Sequence, residues 1–253
     1  MPWDPNQYEK FQSERSAPFF DLLELVDIRD DIKVIDLGCG TGELTSTISE
    51  KLPTATILGI DSSESMLAKS EEFAGQSLEF KQSHIEGIGG KWDLLISNAA
   101  IQWVEDHEQL IPRLITLLEP GGQIAIQLPS NHTHYSHKLI LELAQSPPYE
   151  EALGGWKRIP PVLTPERYAQ ILFDQGLQEI IVFEKLYSHV LADADAIADW
   201  TSGTALVPYF EKLPADLRNM FMDEYRAGLR KYFPQSPVFY PFKRILFSAK
   251  KSI

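Results

Sequence analysis

Short apolar runs alternate with stretches of helical spacing along this chain. Segments at 33–37, 56–60, 78–82, 93–97 and 123–128 read as strands, the first of them buried. Between them, 43–51, the segment after Ser63, and Asp106 to about Leu118 carry apolar positions three and four apart, as helices do. Strand and helix in this order predict a parallel sheet with right-handed crossovers. After Leu128 come a histidine-rich loop and helix (131–145), a Pro/Gly-rich segment expected to be a mobile connection (146–161), and a helix opened by Thr164-Pro165-Glu166. A strand at 180–187, helices within 191–238 and a last strand at 240–249 follow. Ahead of the first strand, Tyr8, Phe11, Phe19, Phe20, Leu22, Leu23 and Leu25 suggest one or two amphipathic helices, with Pro18 at a break or a start. The expected architecture is α/β: a doubly wound, mostly parallel seven-stranded sheet, as one domain over 1–253. Residues 1–30 would form a helical leader, and 191–238 a helical lid inserted between the last two strands.

The first strand runs into Asp36-Leu37-Gly38-Cys39-Gly40-Thr41-Gly42-Glu43. Three glycines in five residues permit positive φ and close backbone approach to a ligand, at the turn where open α/β sheets hold nucleotide-like cofactors. A dinucleotide fingerprint fails in both frames, because its third small residue falls on Glu43 or Thr45. Glu43 also brings negative charge to the first helical turn, where a pyrophosphate would need an unopposed positive end. S-adenosylmethionine (SAM) has no phosphate and carries a sulfonium and an ammonium, so Asp36 and Glu43 are tolerable or helpful beside it. Asp61 ends the second strand about twenty residues beyond the glycines, where a carboxylate receives both hydroxyls of a ribose. Ser63 can cap the next helix, and Met66 can offer a soft wall to adenine.

Composition narrows the partners. The 253 residues carry a net charge of −13, which disfavours a nucleic-acid substrate. Cys39 is the only cysteine, so no internal disulfide can form, and its place in the glycine turn argues for small size rather than nucleophilic chemistry. No run of about 20 apolar residues suggests a membrane span, and a cytoplasmic enzyme is the plain expectation. The series His132-Thr133-His134-Tyr135-Ser136-His137 has the spacing of a binuclear zinc box, but Ser136 stands where an aspartate is needed and no downstream ligands match. No metal is expected.

Taken together, Asp36 to Gly42, Gly59 to Ser63 with Met66-Leu67, and Asp93 to Trp103 resemble the class I SAM-dependent methyltransferases. More narrowly, Trp3 to Tyr8, Phe11, Ser13 to Ser16 with Pro18, Asn98 to Trp103, Asp199-Trp200-Thr201 and Pro241 to Arg244 are similar to trans-aconitate 2-methyltransferases, over nearly the whole chain. The resemblance implies that Asp36, Gly38, Cys39, Gly40 and Gly42 hold the amino-acid end of SAM, and Asp61 with Ser62 the ribose. Met66 and the His84-Ile85 loop would flank adenine, with Asn98, Ala99 and Trp103 beside the methionine moiety. The family's usual aspartate at position 84 is a histidine here. Either its imidazole or the backbone of Ile85 would then read adenine.

Methyl transfer to a carboxylate uses a nucleophile already ionised at pH 7, so no catalytic acid or base is expected; the protein positions and excludes water. Cations are needed for the carboxylates that do not react. Arg15, Lys243 and Arg244 are the candidates, with Arg158 a weaker one, and Tyr8, Gln102, Trp103 and Trp200 lining the site. Asn98 is followed by Ala99-Ala100-Ile101 rather than by the paired prolines of amino-group methyltransferases, which argues against nitrogen acceptors. The expected reaction is esterification of a small di- or tricarboxylic acid such as trans-aconitate. The alternatives are a malonyl thioester on acyl carrier protein, or a non-catalytic SAM-binding protein. The oligomeric state is left open, a monomer included.

Overall fold

The computed structural model describes residues 12–253. They fall into two compact units. One runs from Arg15 to Pro129 and is completed by 161–185 and 244–253; the other comprises, among the described residues, 12–14, 130–160 and 186–243.

The first unit holds the sheet strands β1 (Lys33–Leu37), β2 (Thr56–Asp61), β3 (Leu78–Gln82), β4 (Trp92–Asn98) and β5 (Leu118–Pro129). It also holds the first part of β6 (Gln178–Leu191) and the second part of β7 (Val238–Lys250). Strand order is β3-β2-β1-β4-β5-β7-β6. The pairs β1–β2, β1–β4, β2–β3 and β4–β5 are parallel, and β5–β7 is antiparallel. The order reverses beside β1, so a crevice opens where β1 and β4 end.

Period-two alternation sorts the strand residues onto two faces. Ile35, Leu37, Leu95, Ile124, Ile126, Ile245 and Phe247 share one core, and Val34, Leu94, Ile96, Ala125 and Leu246 another. Helices α1 (Gln12–Leu23) and α2 (Glu43–Lys51) bring Phe19, Leu22, Leu23 and Ile48 to the second face. After α3 (Glu64–Ser70), α4 (His107–Thr116) covers the first face with Leu110, Ile111, Leu114 and Ile115. The i, i+1, i+4, i+5 spacing of those four makes one apolar stripe.

The second unit contains α5 (Tyr135–Ala144) and α6 (Tyr149–Ala152). In the first unit, α7 (Pro165–Asp174) joins α4 on its sheet face through Tyr168, Ile171 and Leu172. The second unit continues with α8 (Ala194–Ser202), α9 (Val207–Lys212) and α10 (Ala215–Tyr232) around Leu139, Tyr149, Ile197, Trp200, Tyr209, Phe221 and Tyr225. Helices α8 and α10 are cross-linked by Arg226 to Asp199 at 2.7 Å and Arg230 to Asp195 at 2.8 Å. The hydroxyl of Tyr225 accepts from Thr201 and donates to the carbonyl of Ser136, each at 3.1 Å, tying α10 to α8 and α5 inside the core.

Three expectations need correction. Pro18 lies inside α1, where burial of Phe19, Leu22 and Leu23 holds the helix across the hydrogen bond that proline lacks. The Pro/Gly-rich segment 146–161 is not a bare connection: it contains α6, whose Tyr149 is fully buried against Phe221. Strand β5 begins at Leu118, five residues before the expected start, because Leu118 already pairs with Trp92.

Tyr225→Phe leaves a buried carbonyl without its donor, a loss of about 1–2 kcal/mol. Thermal unfolding is expected to shift down by a few degrees; an unchanged Tm would show that this hydroxyl does not join the three helices.

Candidate active site

Parallel pairing of β3, β2, β1 and β4 brings the residues at their C-terminal ends to one edge: Gln82 to His84, Asp61, Gly38 and Asn98. The glycine turn is bound into that edge by its backbone. The N–H groups of Gly38 and Cys39 both donate to the carbonyl of Ile60, at 2.8 and 2.9 Å, and Gly40 N–H donates to Asp61 Oδ2 at 3.0 Å. Asp61 Oδ1 accepts from Ser63 N–H at 2.8 Å. Two backbone donors thus fix the carboxylate plane, and each oxygen keeps a lone pair for a hydroxyl.

Two of the glycines leave no room for a side chain. A Cβ on Gly38 would lie 2.1 Å from that of Ala100, and one on Gly42 would lie 2.7 Å from Ser70 Cβ and 2.8 Å from Phe80 Cζ. Both have positive φ, 79° and 81°. Ser63 caps α3, as the sequence suggests, accepting from Met66 N–H, and Gly42 stands at the N-cap of α2. Met66 is buried beside Gly40.

Asp36 is 5% exposed and accepts a hydrogen bond from Thr45 Oγ1 at 2.7 Å. Burial, with the Asp61 charge adding to it, pushes its carboxyl up to about 7 against the Thr45 bond. Burial likewise pushes the Cys39 thiol up, so it stays protonated. A carboxyl held near neutrality at a crevice fits a ligand that brings positive charge, as an ammonium and a sulfonium do. The glycine cradle, the diol-ready Asp61 and this carboxyl all suit SAM.

The fourth corner is β4 and the turn after it. Ala99 has φ 53°, unusual for a residue with a Cβ, and its carbonyl accepts from Gln102 Nε2 at 2.6 Å. The 3₁₀ turn Ile101–Trp103 is held by His107, whose Nε2 donates to the carbonyl of Ile101 at 2.9 Å. Its Nδ1 pairs with the hydroxyl of Tyr168, which accepts from Leu163 N–H at 3.2 Å. Burial keeps His107 below its ordinary pKa and neutral. Behind Asn98, the side chain of Gln127 is wholly buried, with Nε2 donating to Asn98 Oδ1 at 2.7 Å. Gln127 Oε1 accepts from Arg244 Nη1 and Leu128 N–H, both at 3.1 Å.

The structure therefore collects Asp36, Gly38, Cys39, Gly40, Gly42, Asp61, Ser62, Met66, Ile85, Asn98, Ala99, Gln102, Trp103 and Arg244 within the sheet unit. His84 is exposed at the end of β3, and Ile85 is buried. Lys243 and Trp200 belong to the other unit, where Trp200 is 2% exposed and packs on His189 and Phe242. Tyr8 and the side chain of Arg15 lie outside the described residues. Sequence reasoning missed His107, Tyr168 and Gln127. Only Gln127 had a signal, as the one polar residue inside the apolar run 124–128.

Both sheet order and crevice are those of the class I SAM-dependent methyltransferases, and a family model described as a methyltransferase domain matches residues 28–172. Among solved structures, a putative methyltransferase of Bacillus halodurans superposes with TM-score 0.58 at 15% identity, over 94% of this chain and 100% of that one. A phosphoethanolamine N-methyltransferase of Haemonchus contortus, solved with SAM, gives TM-score 0.57 at 15% identity, over 94% of this chain and 53% of that longer one. Such distant likenesses show the fold. The trans-aconitate 2-methyltransferase of Deinococcus radiodurans is 44% identical over 99% of both chains. That of Streptomyces coelicolor is 39% identical over 98% of this chain and 86% of the relative. The chain belongs to the trans-aconitate 2-methyltransferase family. Among the described residues, no helix is long and apolar enough to cross a membrane.

Asp36 ionises with its midpoint near 7 in the free protein, and a cationic ligand favours the ionised form. The ratio of wild-type to Asp36→Asn affinity for SAM should therefore rise roughly tenfold from pH 6 to pH 8, then level off. A flat ratio in calorimetric titrations would separate Asp36 from the ligand.

Proposed function

We propose that this protein transfers the methyl group of SAM to a carboxylate of trans-aconitate or a closely similar small polycarboxylic acid, forming a methyl ester. The observation that carries the reading is 44% identity, end to end, to a trans-aconitate 2-methyltransferase. The crevice beside β1 supports it with a fit to the donor. When bound, SAM supplies an electrophilic methyl group on a sulfonium.

The residues of the chain divide the remaining work. Asp61, braced by the N–H groups of Gly40 and Ser63, receives the ribose diol, and Ser62 lies beside it. Gly38, Cys39, Gly40 and Gly42 let the backbone approach the amino-acid end, where ionised Asp36 faces its ammonium. Met66 and the His84-Ile85 loop flank adenine, with Asn98, Ala99 and Trp103 beside the reacting end. The acid is ionised at neutral pH, so no side chain has a proton to remove. Rate comes from alignment within about 3–3.5 Å and from exclusion of water. Gln102 and Trp103 would line the acceptor site, while Trp200 is buried in the core of the other unit. Lys243 and Arg15 would neutralise the carboxylates that do not react, since a guanidinium on the attacking oxygen would blunt it; Arg244 is buried against Gln127 instead.

Incubation with SAM and a panel of di- and tricarboxylates plus a malonyl-carrier thioester, read by mass spectrometry, is expected to show a 14 Da gain (CH₂) on trans-aconitate. Methylation of the carrier-bound substrate alone would overturn the acceptor. Hydrogen bonds to a charged group contribute about 1.5–3 kcal/mol. Asp61→Ala should therefore weaken SAM binding by roughly 10- to 100-fold, while Lys243→Ala should mainly raise KM for the acid; the reverse pattern would mean that the two sites are exchanged.

A further inference from the structure

Three side chains, at the end of β4, near the end of β5 and in the middle of β7, form a directional relay. Arg244 is 5% exposed and its guanidinium can only donate. Leu128 N–H, on the same side of the Gln127 amide, can only donate as well. The atom of Gln127 that faces both of them at 3.1 Å is therefore its oxygen. The amide nitrogen then points the other way, 2.7 Å from Asn98, and the atom of Asn98 that meets it must be an acceptor, Oδ1. Reversing Gln127 would set its NH₂ against two donors and its oxygen against Asn98 Oδ1. Reversing Asn98 alone would set NH₂ against NH₂. One arrangement makes all three contacts donor to acceptor, and it is fixed at its far end by a charge that never titrates.

We propose that this relay makes Asn98 a hydrogen-bond donor to the ligand: its carbonyl is committed to Gln127, so its NH₂ selects a carboxylate oxygen and offers poor recognition to an amine. The inference rests on the carboxyl-methylation reading and deepens it, because it names the group that tells an oxygen acceptor from a nitrogen one. An amine about to be methylated must present a lone pair to the methyl group and its N–H bonds to acceptors on the protein. A carboxylate needs a donor on the oxygen that does not attack. Half-buried Asn98, at the end of β4 next to the strained Ala99, supplies the donor. Gln127 and Arg244 are positioning residues in this scheme, acting through Asn98.

A carboxylate at this place belongs either to the acceptor or to the methionine end of SAM, and the experiment separates the two. In the wild-type protein, side-chain amide exchange measured by NMR should show Gln127 NH₂ protected and Asn98 NH₂ exchanging with water. Addition of S-adenosylhomocysteine (SAH), or of SAH plus trans-aconitate, should protect Asn98. Protection by SAH alone assigns the cofactor's carboxylate, and protection only with the acid assigns the acceptor's.

Gln127→Glu keeps the shape, pairs with Arg244 and turns an acceptor toward Asn98. In that variant Asn98 NH₂ should become protected without any ligand. SAH affinity should fall, or KM for the acid should rise, by tenfold or more, with a smaller change in kcat. Asn98→Asp, at a half-buried position, should give the same binding loss if the buried variant fails to fold.

An Asn98 NH₂ protected in the free wild-type protein, or both variants binding SAH and acid as the wild type does, would overturn the proposal. A wild-type protein that binds SAH but leaves trans-aconitate unmethylated would overturn the acceptor reading instead, and the exchange pattern of the free protein would still decide the relay.

Discussion

The first glycine turn is compressed between two neighbouring strands, and the rest of the site follows from that compression. Gly38 sits so close to Ala100 that a methyl group between them is excluded, and its N–H, with that of Cys39, is anchored on Ile60. The turn thereby couples the ends of β1, β2 and β4. Gly40 then reaches the Asp61 carboxylate, and Gly42 starts α2 against Ser70 and Phe80. A larger side chain at Gly38 or Gly42 would separate the elements whose ends make the crevice, so these glycines shape the protein as much as they make space for a ligand.

Electrostatics in the crevice run against the usual demand for paired buried charges. Asp36 is buried with a threonine for its partner and feels Asp61 across the turn, so its proton is held to about pH 7. The free protein bears the desolvation, and a ligand with an ammonium and a sulfonium would relieve it. The same two acids disfavour phosphates, which agrees with the failure of the dinucleotide spacing at Glu43 and Thr45. Donor preference thus follows from charge, and on the proposed relay a carboxylate of the ligand is read by hydrogen-bond polarity at Asn98, set from behind by Gln127 and Arg244.

Much of this was legible in the chain. The strands at 33–37 and 78–82 have the bounds read from the chain: the first is buried over its last four residues, as a central parallel strand is, while the second lies at the sheet edge and buries only Leu78 fully. The caps at Ser63, Asp106 and Thr164 were visible as small polar residues ahead of helical spacing. Tertiary contacts decided what the sequence could not. Pro18 stays in a helix because its neighbours are buried, and Tyr149 organises a Pro/Gly-rich stretch because Phe221, seventy-two residues away, packs on it. His107 looks like an ordinary first-turn residue until Tyr168 and Ile101 are placed beside it. Arg244 reads as a free cation in sequence, whereas the fold buries it against Gln127.

A crystal structure of the protein grown with SAH tests the central claim most directly. The account predicts the ligand in the crevice where β1 and β4 end, its ribose hydroxyls on Asp61, adenine against Met66 and the amino-acid end over Gly38 and Gly40. A ligand seated elsewhere on the chain, or a nucleotide phosphate occupying the glycine turn in preference to SAH, would contradict it.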